Sequence, residues 1–343
     1  MKAKILIRRT LVEISENRYS DALNILKEAE SVFESAGDAL KGRWHGQKGL
    51  ILRRLATAEG RADYADRAIV EFTAAIYHYE QARHERYCAL NLNNLAMLLY
   101  KLGRYDEAHE HLDRAQLIFT KLKDHGNLAQ VDETRVRVLS AERKYKEAER
   151  IIIDVIKTFE KGGEVALLAD ALTLQGVLWA RVGVVESSIT ILYRAMRIAQ
   201  DSGALVSAGL AALTMIEEHG ARRLPESELV KVYHRADNLL QGTQDAEDIA
   251  RLRACARVVI KRLSGMRLHD KHFSFYGAVH DLEARLIEQA LDETEGSVVR
   301  AARLLGLKHQ TLTSMLEMRH QQLLTKRTPR EKRLRSIIKE PKE

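Results

Sequence analysis

The sequence predicts an all-α protein, in which an α-solenoid of about six helix pairs precedes a small three-helix C-terminal domain. Two observations predict this class. Long stretches place apolar residues three or four positions apart, which is the spacing of one face of an α-helix. The chain of 343 residues has only three prolines, Pro225, Pro329 and Pro341. Because proline interrupts helices, the sequence before Pro225 can be helical throughout.

The solenoid prediction comes from an internal repeat with a period of about 40 residues. Its clearest copy carries Ala108, Leu112 and Ala115 on one helical face. The five strong copies are separated by 46, 40, 40 and 40 residues, and a weaker sixth copy follows 41 residues later. The other triplets are Ala22-Leu26-Ala29, Ala68-Phe72-Ala75, Ala148-Ile152-Val155, Ser188-Leu192-Ala195 and Leu229-Tyr233-Ala236. One helix pair cannot cover its own apolar face, so the copies must stack.

The helix before each triplet has its own pattern of small and large residues. Leu52, Leu55 and Ala56 match Leu92, Leu95 and Ala96, and Leu172 with Gly176 continues the pattern. Small residues at these positions allow the two helices of a pair to approach closely. The segment from Asp245 to Leu263 is predicted to be a helix that closes the solenoid.

This repeat resembles the tetratricopeptide repeat (TPR), in a form longer than the familiar 34 residues. The resemblance implies a groove lined by the first helix of each pair, which binds a protein or a peptide. Asparagine amides can pair with a peptide backbone, and arginines can hold acidic groups. The predicted groove residues are Arg53, Thr57, Asn93, Met97, Tyr100, Glu133 and Arg137. The alternative reading is that these are ordinary exposed helix residues.

The C-terminal domain is predicted as a helix-turn-helix between Leu286 and Leu316. Leu286, Ile287, Ala290 and Leu291 give the first helix an apolar face. Gly296 and Gly306 mark the two joints, since a glycine tolerates the left-handed backbone of a sharp turn. Ser297 suits the N-cap of the second helix. The third helix turns Leu312 and Leu316 inward.

The segment resembles the Fis-type helix-turn-helix, known from the nucleoid protein Fis and from bacterial enhancer-binding activators. The matching residues are LIEQAL, Gly296-Ser297, Arg300-Ala301-Ala302, Leu304 to Leu307 and Thr311-Leu312. The resemblance implies a dimer that places its third helices in the major groove of double-stranded DNA. Lys308 departs from the Ser or Asn that the family usually has there.

Residue chemistry then assigns the DNA contacts. His309, Gln310, Thr313 and Ser314 are expected to face away from Leu312 and Leu316 and to read bases. The expected phosphate contacts are Arg300, Arg303, Lys308, Thr311 and Arg319.

Charge is distributed unevenly along the chain. Residues 301–343 hold eleven Lys and Arg and four Asp and Glu, a surplus of seven positive charges. This surplus equals the net charge of +7 of the whole chain. Basic charge beside a reading helix adds sequence-independent affinity for phosphates. The predicted organisation is a repeat domain at 1–263, a linker at 264–276, a helix-turn-helix at 277–324 and a disordered basic tail at 325–343.

Patterns for catalysis or for a cofactor were not found. The chain has no GxxxxGK[ST] phosphate loop, so it lacks the ATPase motif of enhancer-binding activators. His269 and His272 have a metal-like spacing without a second paired motif, and a solvated role is favoured. The expectation is therefore no enzyme, no cofactor and no metal. No window reaches the roughly 18 apolar residues of a membrane span, and two isolated cysteines, Cys88 and Cys255, favour the reducing cytoplasm.

Two functional hypotheses follow. The first is a dimeric, sequence-specific DNA-binding transcription regulator of the bacterial cytoplasm and nucleoid, whose repeats sense a protein or peptide. The second is a scaffold or adaptor in which the C-terminal helices bind protein rather than DNA.

Overall fold

The fold was analysed in a computed structural model, which describes residues 2–15, 18–243, 245–264 and 274–327. These residues form α-helices, with one short π-helix and one short 3-10 helix, and they contain no β-strand. The all-α prediction is confirmed. Backbone contacts divide the chain into two units, Met1–Val259 and Ile260–Glu343. Most of the predicted linker (265–273) and most of the predicted tail (328–343) lie outside the described residues.

Six helix pairs and a closing helix form the solenoid. The first pair is α1 (Lys2–Ser15) with α2 (Tyr19–Glu28), which a short α3 (Glu30–Glu34) extends. The closing helix, predicted from Asp245 to Leu263, is observed as α14 (Ala246–Leu263). The remaining helices are α4 (Asp38–Glu59), α5 (Ala62–Gln81), α6 (Glu85–Lys101), α7 (Tyr105–Lys121), α8 (His125–Ala141), α9 (Tyr145–Gly162), α10 (Val165–Val182), α11 (Val185–Asp201), α12 (Leu205–Met215, continued by the π-helix Ile216–Gly220) and α13 (Glu226–Leu240).

The repeat triplets form the buried seam of the pairs, as the periodicity predicts. Ala108, Leu112 and Ala115 are fully buried on α7, and the equivalent residues of the other strong copies are buried as well. In the weak sixth copy Leu229 and Ala236 are buried, while Tyr233 packs against the core at its edge. Each first helix also contacts the first helix of the next pair, from α4 through α6, α8 and α10 to α12. These contacts make the pairs a continuous solenoid.

Gly176 shows why a small residue is needed between the helices of a pair. A Cβ atom at this position would lie 2.6 Å from Cγ of Leu192 on α11. The backbone of α10 therefore approaches α11 at a distance that only glycine allows without a shift. The Gly176 carbonyl also accepts a hydrogen bond of 2.7 Å from the buried Ser188 hydroxyl.

The turns give the repeat its regularity. A left-handed residue occurs every 20 positions along the middle of the array, so one helix with its turn is half of the 40-residue period. Three of these residues are not glycine, although a side chain disfavours this conformation. The series is Arg83, Gly103, Lys123, Arg143, Gly163, Gly183 and Gly203.

One sequence expectation about membrane spans was wrong. Helix α10 has both the length and the hydropathy of a membrane span, with 44% of the window buried within the protein. Its apolar composition has a structural cause in this fold. The helix lies in the middle of the array and packs against α8, α9, α11 and α12, so residues such as Leu172 and Leu178 enter the core.

The second unit contains α15 (Phe275–Glu293), α16 (Val298–Leu304), α17 (His309–Met318) and a 3-10 helix (Gln321–Lys326). Helix α15 packs on α16, and α16 packs on α17. Its core consists of Ile287, Ala290, Leu291, Val298, Ala301, Ala302, Leu312, Leu316 and Leu323. Leu286, which the sequence placed on the apolar face, is 47% exposed instead.

Candidate functional site

The three-helix unit holds α17 by its inner side only. Leu312 and Leu316 are fully buried and contact the small residues Ala301 and Ala302 within one core. The turn before α17 follows from Gly306, whose φ of 67° is unfavourable for a residue with a side chain. The first joint contains two left-handed residues, Glu295 and Gly296. The predicted three helices with a glycine at each joint are therefore present.

Neither inner helix start has a side-chain cap, although the sequence suggested one for α16. Ser297 occupies the N-cap position of α16, but its side chain makes no capping hydrogen bond. Lys308 occupies the same position on α17 and also leaves the first backbone N–H groups without a side-chain partner. Unpaired N–H groups at a helix start can donate to an anion such as a phosphate.

The outer side of α17 presents a narrower set of candidate readers than the sequence predicted. Gln310 and Ser314 are exposed and lie opposite Leu312 and Leu316 on the helix. His309 and Thr313 do not lie at the centre of this outer side. Thr313 is half-buried and its hydroxyl donates to the His309 carbonyl at 2.9 Å.

His309 and Thr313 line a crevice beside the start of α16. The crevice has a volume of about 340 Å³ and also contains Arg300 and Arg327. The prediction that all four polar residues face away from the core was wrong for the half-buried Thr313, whereas His309 is exposed at the edge of the outer side. On a helix, residues 309 and 313 lie only 40–80° from the buried stripe, as the 100° step per residue implies.

The side chains predicted to contact phosphate differ in whether they already bind a partner within the protein. Arg303, Lys308 and Thr311 are exposed. The Arg300 guanidinium instead turns back and donates to the Thr294 carbonyl at 2.8 Å. Arg319, at the end of α17, lies 3.5 Å from the Glu283 carboxylate on α15.

A histidine pair was missed at the far end of α17. His320 is fully buried, its ring lies 4.5 Å from the His280 ring, and its Nε2 lies 3.3 Å from the Glu283 carboxylate. This contact joins the segment after α17 to α15. The described residues contain no group of three potential metal ligands, and His269 and His272 lie outside them. The two histidines are 40 positions apart in the sequence, which hid this contact from local pattern analysis.

The predicted groove residues lie on α4, α6 and α8, which are first helices of successive pairs. Arg53, Thr57 and Tyr100 line one cavity of about 680 Å³. Tyr100 and Arg137 line a second cavity of about 580 Å³. The remaining residues Asn93, Met97 and Glu133 are half-buried.

Polar atoms without partners occur among the predicted groove residues. Oδ1 of Asn93 and Nε of Arg137 are buried and make no hydrogen bond to the described residues. Burial, assisted by the neighbouring Arg54, lowers the pKa of Arg53 to about 10. Burial also works against the charge of Arg137, but the Glu133 carboxylate outweighs it and the pKa of Arg137 is raised. Buried polar groups without partners cost free energy, so this surface favours a polar ligand.

Comparison with known families agrees with both parts of the chain. Residues 87–161 match the tetratricopeptide repeat. Residues 278–316 match the family described as bacterial regulatory protein, Fis family. The suspected architecture, a Fis-type helix-turn-helix behind tetratricopeptide repeats, is confirmed. None of the curated proteins matches the chain.

Among solved structures, the apo form of RapI shares the fold of the helical array, and two others are similar to the chain at lower scores. The apo form of RapI has a TM-score of 0.51 and 12% identity, with 76% of this chain and 100% of that chain covered. BtubC (BKLC) from P. vanneervenii has a TM-score of 0.47 and 18% identity, covering 76% and 96%. A Rap protein complexed with competence and sporulation factor has a TM-score of 0.49 and 16% identity, covering 95% and 99%.

The two family matches support a class of protein, a DNA-binding regulator that carries a TPR domain. Such domains are typical of regulators and adaptors that are not enzymes. A DNA-binding domain also favours a cytoplasmic location.

Proposed function

We propose that this protein is a sequence-specific, dimeric transcription regulator of the bacterial cytoplasm and nucleoid. The observation that carries the proposal is the outer side of α17. This helix is held from within by Leu312 and Leu316, and it offers exposed amide and hydroxyl groups on its other side. Gln310 can pair bidentately with adenine, and the Ser314 hydroxyl can serve several bases.

Phosphate contacts would set the position of the unit on the duplex. Arg303, Lys308 and Thr311 are exposed around α17, and the uncapped start of the helix adds backbone donors. Arg300 and Arg319 are included in the proposed DNA contacts, because both side chains are mostly exposed and their ion pairs are long, 3.4 Å to Glu295 and 3.5 Å to Glu283. His309 and Thr313 would contribute from the edge of the interface rather than from its centre.

An exposed apolar stripe on α15 supports the proposed homodimer. Val279, Leu282 and Leu286 are between 39% and 50% exposed, and their spacing of three and four places them on one helical face. A second copy of α15 would cover this stripe and bring two α17 helices to one DNA site. Half-sites would then lie about one helical turn apart.

The solenoid groove is proposed as the sensor. Its two cavities and the polar atoms without partners suit a protein segment or peptide that supplies backbone N–H and C=O groups. Binding there would change how the regulator acts on DNA.

The test is the selection of bound oligonucleotides from a random pool by the full-length protein. We expect an enriched motif, and we expect Gln310→Ala to relax one position of it at a cost of about 1–3 kcal/mol. Gln322→Ala, an exposed glutamine on the 3-10 helix, is the matched control and should leave the motif unchanged. Arg303→Ala should weaken binding to all sequences alike and reduce its salt dependence. Binding without any preferred sequence that disappears at moderate salt would support an adaptor instead.

A further inference from the structure

The closing helix of the solenoid begins beside the first repeats. A carboxylate oxygen of Asp245, just before α14, lies 3.1 Å from Nη1 of Arg54 on α4. A carboxylate oxygen of Glu247 lies 2.7 Å from Nζ of Lys101 on α6. These ion pairs join residues 191 and 146 positions apart in the sequence. The start of α14 therefore lies against the first helices of the second and third pairs.

One of these two acidic residues, Glu247, enters the groove. Glu247 lines both cavities and lies where they adjoin, since Tyr100 is also common to both. The larger cavity carries the cations Arg53, Arg61 and Lys101, and Glu247 is the one acidic residue among the described residues that line it. Arg53 makes no ion pair with the described part of the chain. This compartment, defined by Arg53, Thr57, Tyr100 and Lys101, is thus cationic and is filled in part by an acidic side chain of the protein itself.

Helix α14 is fixed unequally along its length. Its second half is anchored in the core by the buried Cys255 and Val259. Its first turn is held by Asp245 and Glu247 through ion pairs in which both partners are partly solvent-exposed. Ion pairs of this kind are individually weak and are screened by salt. The start of the helix can therefore be displaced more easily than its end.

We propose that the cationic compartment binds an acidic segment of a partner protein, and that the start of α14 is a releasable latch which occupies the compartment in its absence. This inference rests on the proposed sensor role of the groove. The partner's carboxylates replace those of Asp245 and Glu247 on Arg54 and Lys101, and they also reach Arg53. Binding of the partner therefore displaces the first turn of α14, while Cys255 and Val259 keep its second half in the core.

The latch is tested by opening it in the full-length protein. The double variant Asp245→Asn and Glu247→Gln removes both charges. Asparagine keeps the N-cap that Asp245 provides to the backbone N–H of Glu247. The probe is a fluorescein-labelled eight-residue peptide of alternating glutamate and alanine, followed by anisotropy at low salt. We expect the double variant to bind it at least tenfold more tightly than the wild type, and Arg53→Ala in that background to abolish the gain.

Two controls define what the charges do. The exposed pair between Glu160 and Arg194 lies on α9 and α11, away from the compartment, and Glu160→Gln should leave the affinity for the peptide unchanged. A lysine–alanine peptide of the same length should not bind. If it binds as well as the acidic peptide, or if no variant binds the acidic peptide, the acidic-partner part of the proposal is wrong.

Hydrogen exchange measures the latch without any ligand. Residues 247–250, the first turn before the anchored Arg251 with its contacts to Glu217 and Thr214, should exchange at least tenfold faster in the double variant than in the wild type, whereas α9 should be unaffected. Unchanged exchange over these residues contradicts the latch itself, even if the peptide binds. The DNA selection experiment reports on the helix-turn-helix alone, so its failure can be told apart from either result.

Discussion

Leu312→Ala is the sharpest test of how α17 is held for DNA binding. Leu312 is fully buried in the core between α15, α16 and α17. The substitution removes three carbons, which at about 0.8 kcal/mol each corresponds to about 2.4 kcal/mol of lost burial. The unfilled cavity adds to this, so we expect a loss of about 3 kcal/mol in the stability of the unit. Small units have little stability to spare, and such a loss removes much of it.

The measurement is hydrogen exchange of residues 275–318 in the full-length protein, combined with DNA binding. A loss of 3 kcal/mol lowers the protection of the slowest amides by about 100-fold. The solenoid should keep its protection, because its core is separate. Binding to the selected DNA motif should weaken in parallel, since the reading helix is ordered in a smaller fraction of molecules.

Leu304→Ala is the matched control, because it removes the same three carbons on α16. Leu304 is 56% exposed, so less surface is lost from the interior and the cost should stay below about 1 kcal/mol. Equal effects of the two substitutions on exchange would refute the assignment of Leu312 to the core. Full DNA affinity in Leu312→Ala, despite lost protection, would refute the dependence of DNA reading on an ordered α17.

Two further predictions concern the solenoid. Gly176→Ala should destabilise it by about 1–3 kcal/mol in urea unfolding, because the new Cβ would lie 2.6 Å from Leu192. The control Gly37→Ala has open space around the new Cβ and should be nearly neutral. Equal effects of the two substitutions would contradict the close approach of α10 to α11. Burial raises the pKa of Cys88 to about 11 and that of Cys255 to about 12, so at pH 8 both folded thiols should react with iodoacetamide at least about 100-fold more slowly than in urea. Because the folded pKa is the higher one, their burial should stabilise the fold below about pH 8.5 and lose this effect as the pH rises further. Rapid labelling of the folded protein at pH 8 would contradict the burial.

The repeat could be predicted from sequence because its contacts lie within one helix pair or between adjacent pairs. A triplet such as Ala108, Leu112 and Ala115 marks one face of one helix, and each copy meets only its neighbours. The same reasoning found the joints at Gly296 and Gly306. It overestimated the burial of Leu286 on α15 and the exposure of Thr313 on α17. A periodic pattern shows whether a helical face is buried or exposed, but it does not show how wide that face is.

Contacts between distant segments could not be predicted in this way. The ion pairs of Asp245 and Glu247 join residues 191 and 146 positions apart, so they depend on how all the intervening helix pairs stack. The burial of His320 against His280 likewise depends on the path of the chain after α17. In neither case does a local pattern of one helix identify its distant partner.

The contact of Glu247 with Lys101 affects how the proposed sensor groove can work. A groove lined only by α4, α6 and α8 would bind an acidic ligand without displacing any part of the protein. Because α14 contributes Glu247 to the same cavities, a ligand that enters them has to compete with a carboxylate of the protein itself. A ligand can shift a conformational equilibrium only by its different affinity for the two states. An acidic partner satisfies this condition, since it would compete with Glu247 for Lys101 when the latch is closed and meet no such competition when it is open.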